Sequence, residues 1–142
     1  MDENRGIVDR SQFAAARAEL GASFAKIVGY YRDDGAKAIG GIEDAARRLS
    51  AVDMVRPAHT LKGDSLMLGA EALGLAAEEI EKAARRAVEA HDFPDHMLPR
   101  IRDLRDLFAE TLAFFDRELA PVARPVVLTL PRRSGFGRKA LP

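Results

Sequence analysis

A short segment near the middle of the chain, His59-Thr60-Leu61-Lys62-Gly63, has the side chains for one kind of chemistry. Neutral imidazole is a nucleophile near pH 7, and a phosphoryl group bound to it would carry negative charge that a neighbouring ammonium could partly neutralise. In a helix, at about 100° per residue, His59 and Leu61 point in nearly opposite directions. Because Leu61 belongs to an apolar stripe, His59 is expected to face water, with Lys62 and Gly63 on the same exposed side. The segment therefore predicts an exposed, nucleophilic histidine on a helix.

The glycine beside this histidine needs its own explanation. Glycine in a helix interior is less favourable than alanine by about 1 kcal/mol. One physical reason for Gly63 is the close approach of another macromolecule, which a side chain at this position would block. We therefore expect a partner to contact the surface around His59.

The elements that must position this segment are helical by pattern. Ala, Leu, Glu and Arg are frequent, and β-branched runs are absent before residue 126. Apolar residues recur at helical spacing in successive segments, from a short helix capped by Asp9 to a long one ended by Pro121. The segment from about 52 to 68 carries His59 and stops at Gly69, which suits a left-handed residue after a helix. The pattern predicts an all-α fold, an antiparallel up-and-down four-helix bundle with a short extra N-terminal helix.

Two features conflict with regular helices. Gly35, Gly40 and Gly41 weaken the second helix and predict a kink or a split near them. Pro57 suits the first turn of a helix and not its interior, so the third helix is expected either to start later or to bend there.

The charge divides the chain into two parts. The sequence has 22 basic and 22 acidic residues and no cysteine, which excludes disulfides, thiolate metal sites and a cysteine nucleophile. Since no acid follows residue 119, residues 1–119 carry a net charge of −5 and residues 120–142 carry +5. We predict a helical domain over 1–119 and a flexible basic tail over 120–142. With no apolar run of membrane-spanning length and a polar N-terminus, a cytoplasmic location is expected.

Other candidate sites have simpler explanations. His91 and His96 lie five residues apart near two aspartates, a spacing that does not place both on one helical face, so solvated loop histidines are expected rather than metal ligands. The acidic run at 78–81 is expected to face water, and Phe114 and Phe115 are expected in the core. The basic tail has few charges for nucleic-acid binding, and a solvated segment is expected there.

The stretch from Ala58 to Gly69, AHTLKGDSLMLG, resembles the signature of the histidine-containing phosphotransfer (HPt) domains of bacterial two-component phosphorelays. That signature is His-x-Leu-Lys-Gly on a bundle helix, with a second glycine ten positions after the histidine. Ala70, Leu73 and the pair Ile80-Glu81 also resemble the family's following helix. The resemblance covers roughly residues 8–119 and is strongest over 56–81.

The resemblance implies a role for each residue of the motif. His59 would accept a phosphoryl group, through Nε2, from the aspartyl phosphate of a receiver domain and pass it to another receiver, becoming a phosphohistidine in between. Lys62 would assist electrostatically. No cofactor is expected in this chain, because Mg²⁺ would be held by the receiver partner, and no kinase activity of its own is expected. The receiver-docking residues, together with a face of the preceding helix, would be Val55, Arg56, Gly63 and Leu66.

Three residues depart from the family's usual pattern: Asp64 stands where a small residue is common, Leu66 is larger than usual, and Pro57 precedes the histidine. They bear on the choice of partner more than on the reaction. The expected partners are receiver domains of response regulators and of hybrid histidine kinases, without nucleic acid or membrane, and the chain is expected to be a monomer.

Two other functions are compatible with a helical bundle. One is a non-catalytic adaptor that binds signalling partners without phosphoryl transfer. The other is the dimerisation and phosphoacceptor domain of a histidine kinase, which is disfavoured because no ATP-binding segment follows and because the chain has enough helices to build its own bundle.

Overall fold

Five α-helices follow one another in the computed structural model, which describes residues 6–120. Single turns of 3₁₀ helix, Gly21–Ser23 and Asp95–Met97, lead into the second and fifth helices. The predicted tail lies outside the described residues from position 121 onward. The helices are α1 (Arg10–Leu20), α2 (Phe24–Arg47), α3 (Ala51–Met67), α4 (Glu71–Glu89) and α5 (Leu98–Leu119).

The helix boundaries follow from capping residues. The carboxylate of Asp9 accepts the backbone N–H of Gln12 at 3.1 Å and starts α1, as predicted. Ser50 starts α3 in the same way, because its hydroxyl accepts the backbone N–H of Asp53 at 3.3 Å. Gly69, with a φ of +85°, reverses the chain just after α3.

Helices α2 to α5 form a four-helix bundle. Helix α3 packs against both α2 and α4, and α5 closes the bundle against α2 and α4. Short connections make successive helices antiparallel, so the predicted all-α bundle with a short extra N-terminal helix is confirmed. Among residues 6–120, no helix has the length and apolar character needed to cross a bilayer. The largest fully buried side chains include Phe24, Ile39, Ile42, Met54, Leu61, Leu73, Ile80, Leu104, Phe114 and Phe115.

Helix α2 runs without interruption through its glycines, so the predicted alternative of a split near them is wrong. A Cβ at Gly35 would lie 2.8 Å from the ring of Phe108 on α5, and a Cβ at Gly41 would lie 3.3 Å from Cβ of Pro57 on α3. These glycines let neighbouring helices pack closely. Pro57 lies inside α3, which begins six residues earlier at Ala51, so the predicted alternative of a later helix start is wrong.

Helix α1 covers the turn between α3 and α4. The backbone N–H of Asp9 donates to the carbonyl of Gly69 at 2.8 Å, and Nε2 of Gln12 donates to the carbonyl of Met67 at 2.8 Å. A Cβ at Gly69 would lie 2.8 Å from the carbonyl oxygen of Asp9, so only glycine fits both the backbone angle and the contact. Phe13 anchors α1 to the core through ring contacts with Phe24, Phe114 and Phe115.

A buried pair of hydroxyls joins α2 to α3. Tyr31 Oη and Ser65 Oγ are 2.7 Å apart, and both side chains are buried. Burial raises the pKa of the Tyr31 hydroxyl, so it stays neutral and shares its hydrogen bond with Ser65. This contact fixes how α3, which carries His59, sits against α2.

Candidate functional site

Helix α3 presents His59 to solvent. Ala58 and Leu61 are almost fully buried against the other helices, which orients the opposite face of α3 outward. The His59 side chain is 61% exposed. The prediction that this imidazole faces water is confirmed.

The inner nitrogen of His59 is held by a carboxylate from α4. His59 Nδ1 lies 3.0 Å from Glu81 Oε2, and the Glu81 side chain is only 6% exposed. The sequence-based prediction that the acidic run at 78–81 faces water is therefore wrong for Glu81. It holds for Glu79, which is about half exposed and pairs with Arg100 at 2.9 Å.

Two cations surround the buried Glu81 carboxylate. The guanidinium of Arg85, one turn further along α4, donates to Oε2 from Nε at 3.0 Å and from Nη2 at 2.8 Å. Lys62 Nζ lies 3.0 Å from Oε1, an ion pair whose geometry is not that of a well-aligned hydrogen bond. Burial raises the pKa of Glu81, but Lys62, Arg85 and His59 together outweigh it and lower that pKa to about 2.

The ionised carboxylate of Glu81 determines the tautomer of His59. A carboxylate can only accept a hydrogen bond, so Nδ1 of His59 must be the donor and carry the proton. In neutral imidazole the other nitrogen, Nε2, then has the free lone pair. The site thus has an exposed nucleophilic nitrogen and a proton held on the opposite side of the ring.

The surface beside the imidazole is bare. A Cβ built at Gly63 would meet no atom within 4 Å outside its own helix, and the neighbouring Thr60 is exposed. This arrangement agrees with the interpretation that Gly63 leaves space for an approaching partner.

The other predicted docking residues differ in how far they project. Arg56 is exposed and Val55 is half-buried. Leu66 is 37% exposed, because its side chain lies over Gly74 of α4, where a Cβ would be 2.5 Å from Leu66 Cδ2. Leu66 therefore adds a low apolar surface next to Gly63 rather than a projecting side chain.

The remaining sequence candidates do not join this site. His91, with a φ of +53°, lies in the turn that follows α4, and His96 lies in the 3₁₀ turn before α5. Within residues 6–120, no group of three or more His, Asp or Glu side chains is arranged to hold a metal ion. Phe114 and Phe115 are buried in the core, as predicted.

A comparison with protein-family models identifies the family. The Hpt domain model matches residues 26–113, which is more than half of the chain and spans α2, α3, α4 and most of α5. The chain therefore belongs to the Hpt domain family, the helical-bundle domains of histidine phosphotransfer in phosphorelays, which interact with receiver domains. No curated protein and no solved structure matched the chain. Helix α1 lies outside the matched region.

Proposed function

We propose that this chain is a phosphorelay intermediate in which His59 accepts a phosphoryl group from a receiver-domain aspartyl phosphate and passes it to another receiver. The observation that carries the proposal is the exposed imidazole whose Nδ1 is hydrogen-bonded, at 3.0 Å, to the buried carboxylate of Glu81. A purely structural histidine on a helix surface has no need of a buried carboxylate stabilised by two cations.

The reaction uses the free lone pair on Nε2 of His59. This lone pair attacks phosphorus in line with the bond to the aspartyl oxygen; the N–P bond forms, the P–O bond breaks, and its electron pair leaves on the aspartate carboxylate. The Nδ1 proton stays in place, so the phosphorylated ring carries a positive charge that faces Glu81. The ring remains a good leaving group, and the same steps in reverse deliver the phosphoryl group to a second aspartate.

Lys62 supports this step electrostatically. Its side chain, one-quarter exposed, starts one helical turn from His59, and its ammonium is held by Glu81 on the Nδ1 side of the ring, from where its positive charge partly offsets the negative charge of a phosphoryl group on Nε2. We assign the metal ion of the reaction, Mg²⁺, to the receiver, and no kinase activity or cofactor to this chain. Val55, Arg56, Gly63 and Leu66 form part of the receiver-docking surface in this proposal.

The proposal also includes the oligomeric state and the cellular location of the chain. A bundle core completed within one chain supports a monomer, since the buried apolar residues of α2 to α5 pack against one another. Phosphorelay receivers act in the cytoplasm, and we place the chain there with them.

A transfer assay tests the proposal. Purified receiver domains of the source organism are phosphorylated, freed of donor and mixed with the chain or with His59→Gln, and phosphohistidine is followed by Phos-tag electrophoresis. We expect rapid transfer to the wild-type chain and none to the variant. Labelling that survives His59→Gln would refute the assignment of His59, and receiver binding without any labelling would favour the adaptor function instead.

A further inference from the structure

A groove runs between α2 and α3 on the exposed face that carries His59. It contains two shallow hollows, of about 290 Å³ and 170 Å³, which meet at Asp34 on α2. The larger one is lined by Arg56, Pro57 and Thr60 of α3, and the last of these adjoins His59. A partner that reaches Nε2 of His59 from the α2 side must therefore lie over this groove.

Large apolar side chains are exposed at one end of the groove. Tyr30 on α2 is 54% exposed and Met67 on α3 is 48% exposed, and both line the smaller hollow with Ile27. Side chains of this size are normally covered when they cluster. A groove between two antiparallel helices with an apolar floor accommodates a third helix.

The charge reverses along the groove. Lys37 and Arg56 line the larger hollow, Asp64 lines the smaller one, and Asp34 stands where the two meet. None of these four side chains has an ion-pair partner among residues 6–120. In contrast, the seam between α2 and α5 is closed by cross-helix pairs, Arg32–Asp116 and Arg105–Glu43.

At the acidic end of the groove, two carboxylates repel each other. Burial raises the pKa of Asp64, and the nearby charge of Asp34 raises it further. A cation placed between the two side chains would therefore stabilise the ionised form of each carboxylate. Asp64 is also the residue that departs from the usual pattern of the family motif. The acidic end therefore favours a partner with a basic side chain at that point.

We propose that Asp34 and Asp64, at the acidic end of the α2–α3 groove, select among receivers by favouring those whose docking helix carries a Lys or Arg opposite them. The inference rests on the proposed phosphotransfer function and adds the chemistry of the partner. The same helix offers apolar side chains to Tyr30 and Met67, and an acidic residue to Arg56. Arg56 and Asp64 are eight residues apart, about 12 Å along α3, so the acidic and basic residues of the partner helix lie about two turns apart.

Charge reversal of the acidic end tests this proposal. Transfer rates are measured for the full-length wild type, for Asp34→Lys combined with Asp64→Lys, and for Asp33→Lys, a control on α2 that is exposed but lines neither hollow. A milder double variant, Asp34→Asn with Asp64→Asn, covers the case in which the lysines disturb folding. Each rate from a phosphorylated receiver is divided by the rate of labelling with phosphoramidate, a small donor that needs no docking helix.

We expect the double Lys variant to lose at least tenfold in this ratio with the receiver that serves the wild type best. The Asn variant should lose less, and Asp33→Lys should match the wild type. Replacing the receiver's facing Lys or Arg by Glu should restore transfer to the double Lys variant. If both double variants have the same ratio of receiver transfer to phosphoramidate labelling as the wild type, the inference is wrong and the proposed function stands.

Two further outcomes separate the remaining explanations. Absence of phosphohistidine with both phosphoramidate and receivers would refute the proposed function, and this inference with it. The chain's own basic segment is the other candidate occupant of the groove. If Arg132→Glu combined with Arg133→Glu speeds receiver transfer in the full-length chain, the groove is covered by that segment and the proposal of a receiver helix is wrong.

Discussion

The two sides of the His59 ring differ in how tightly the fold holds them. On the α4 side, Nδ1 meets a buried carboxylate that is itself bound by Arg85 and Lys62, at distances of 2.8 to 3.0 Å. On the α2 side, Gly63 has open space where a side chain would stand, and the groove charges are unpaired among residues 6–120. One side is fixed by contacts within the fold, and the other side is open.

This difference separates chemistry from recognition. In the proposed function the fixed side would set where the proton sits and which nitrogen reacts, and both would have to be the same for every receiver. In the same proposal the open side would meet the receiver, and residues there could change without altering the reacting atoms. Changes at Glu81 should therefore affect the reaction with all phosphoryl donors, whereas changes at Gly63 or Asp64 should affect only donors that dock.

The largest expected effect concerns the stability that Glu81 supplies on the fixed side. The fall in its pKa from 4.5 to about 2, at about 1.4 kcal/mol per pH unit, corresponds to roughly 3 kcal/mol at neutral pH. Because the folded-state pKa lies below the unfolded one, this stabilisation is present above about pH 4.5 and is lost as the pH falls toward 2. Urea unfolding of wild type and Glu81→Gln at pH 7, 4 and 2.5 should show a difference that shrinks with acid.

Glu79→Gln is the matched control for this measurement, since it makes the same change on the same helix in an exposed ion pair worth at most about 1 kcal/mol. A difference between wild type and Glu81→Gln that stays constant from pH 7 to pH 2.5 would show that ionised Glu81 does not stabilise the bundle.

The second effect is on the reaction itself. In Glu81→Gln an amide can either accept from Nδ1 or donate to it, so the tautomer of His59 is no longer fixed. We expect transfer from every donor, phosphoramidate included, to slow by about 10- to 100-fold, the range found when partners that orient metal-bound histidines are removed. Nitrogen NMR of the imidazole should show a single Nδ1–H form in the wild type and in Glu79→Gln, and a mixture in Glu81→Gln. An unchanged tautomer together with an unchanged rate would contradict the positioning role of Glu81.

The smallest effect tests the open side. Gly63→Leu should leave the bundle folded and raise its stability by up to about 1 kcal/mol, since leucine favours a helix and meets no neighbour there. It should slow transfer from receivers about tenfold by blocking close approach. Gly29→Leu, at an equally open position on α2, should stabilise the chain without slowing transfer. Thermal unfolding and the transfer assay measure both, and equal transfer by the two variants would refute the close-approach explanation.

Much of the fold followed from local patterns. Asp9 marked the start of the first helix, the apolar stripes identified the buried faces, and the phase between Leu61 and His59 placed the imidazole in solvent. Each of these depends on residues within a few positions of one another, so helical period and capping are enough to predict them. The predictions that failed concerned contacts between helices: the α2 glycines did not interrupt the helix, because Phe108 and Pro57 pack against them.

Glu81 is the most informative residue that sequence reasoning placed wrongly. It lies in a run of charged residues that looks like a solvated face, yet it stands four residues after Ala77 and three before Ala84, both buried. That spacing places Glu81 at the edge of the buried stripe, and it could have predicted that the side chain is buried. Its partners could not be read in the same way, since His59 and Lys62 come from another helix.

The amino-acid sequence by itself determined an all-helical chain and a motif whose histidine is solvent-facing, because both depend on the period and end signals of single helices. Only the tertiary structure decided which carboxylate holds Nδ1, which glycines are packed and which are open, and where unpaired charges line a groove. These depend on how α2, α3 and α4 pack together, and that packing brings residues 22 positions apart, His59 and Glu81, to within 3.0 Å.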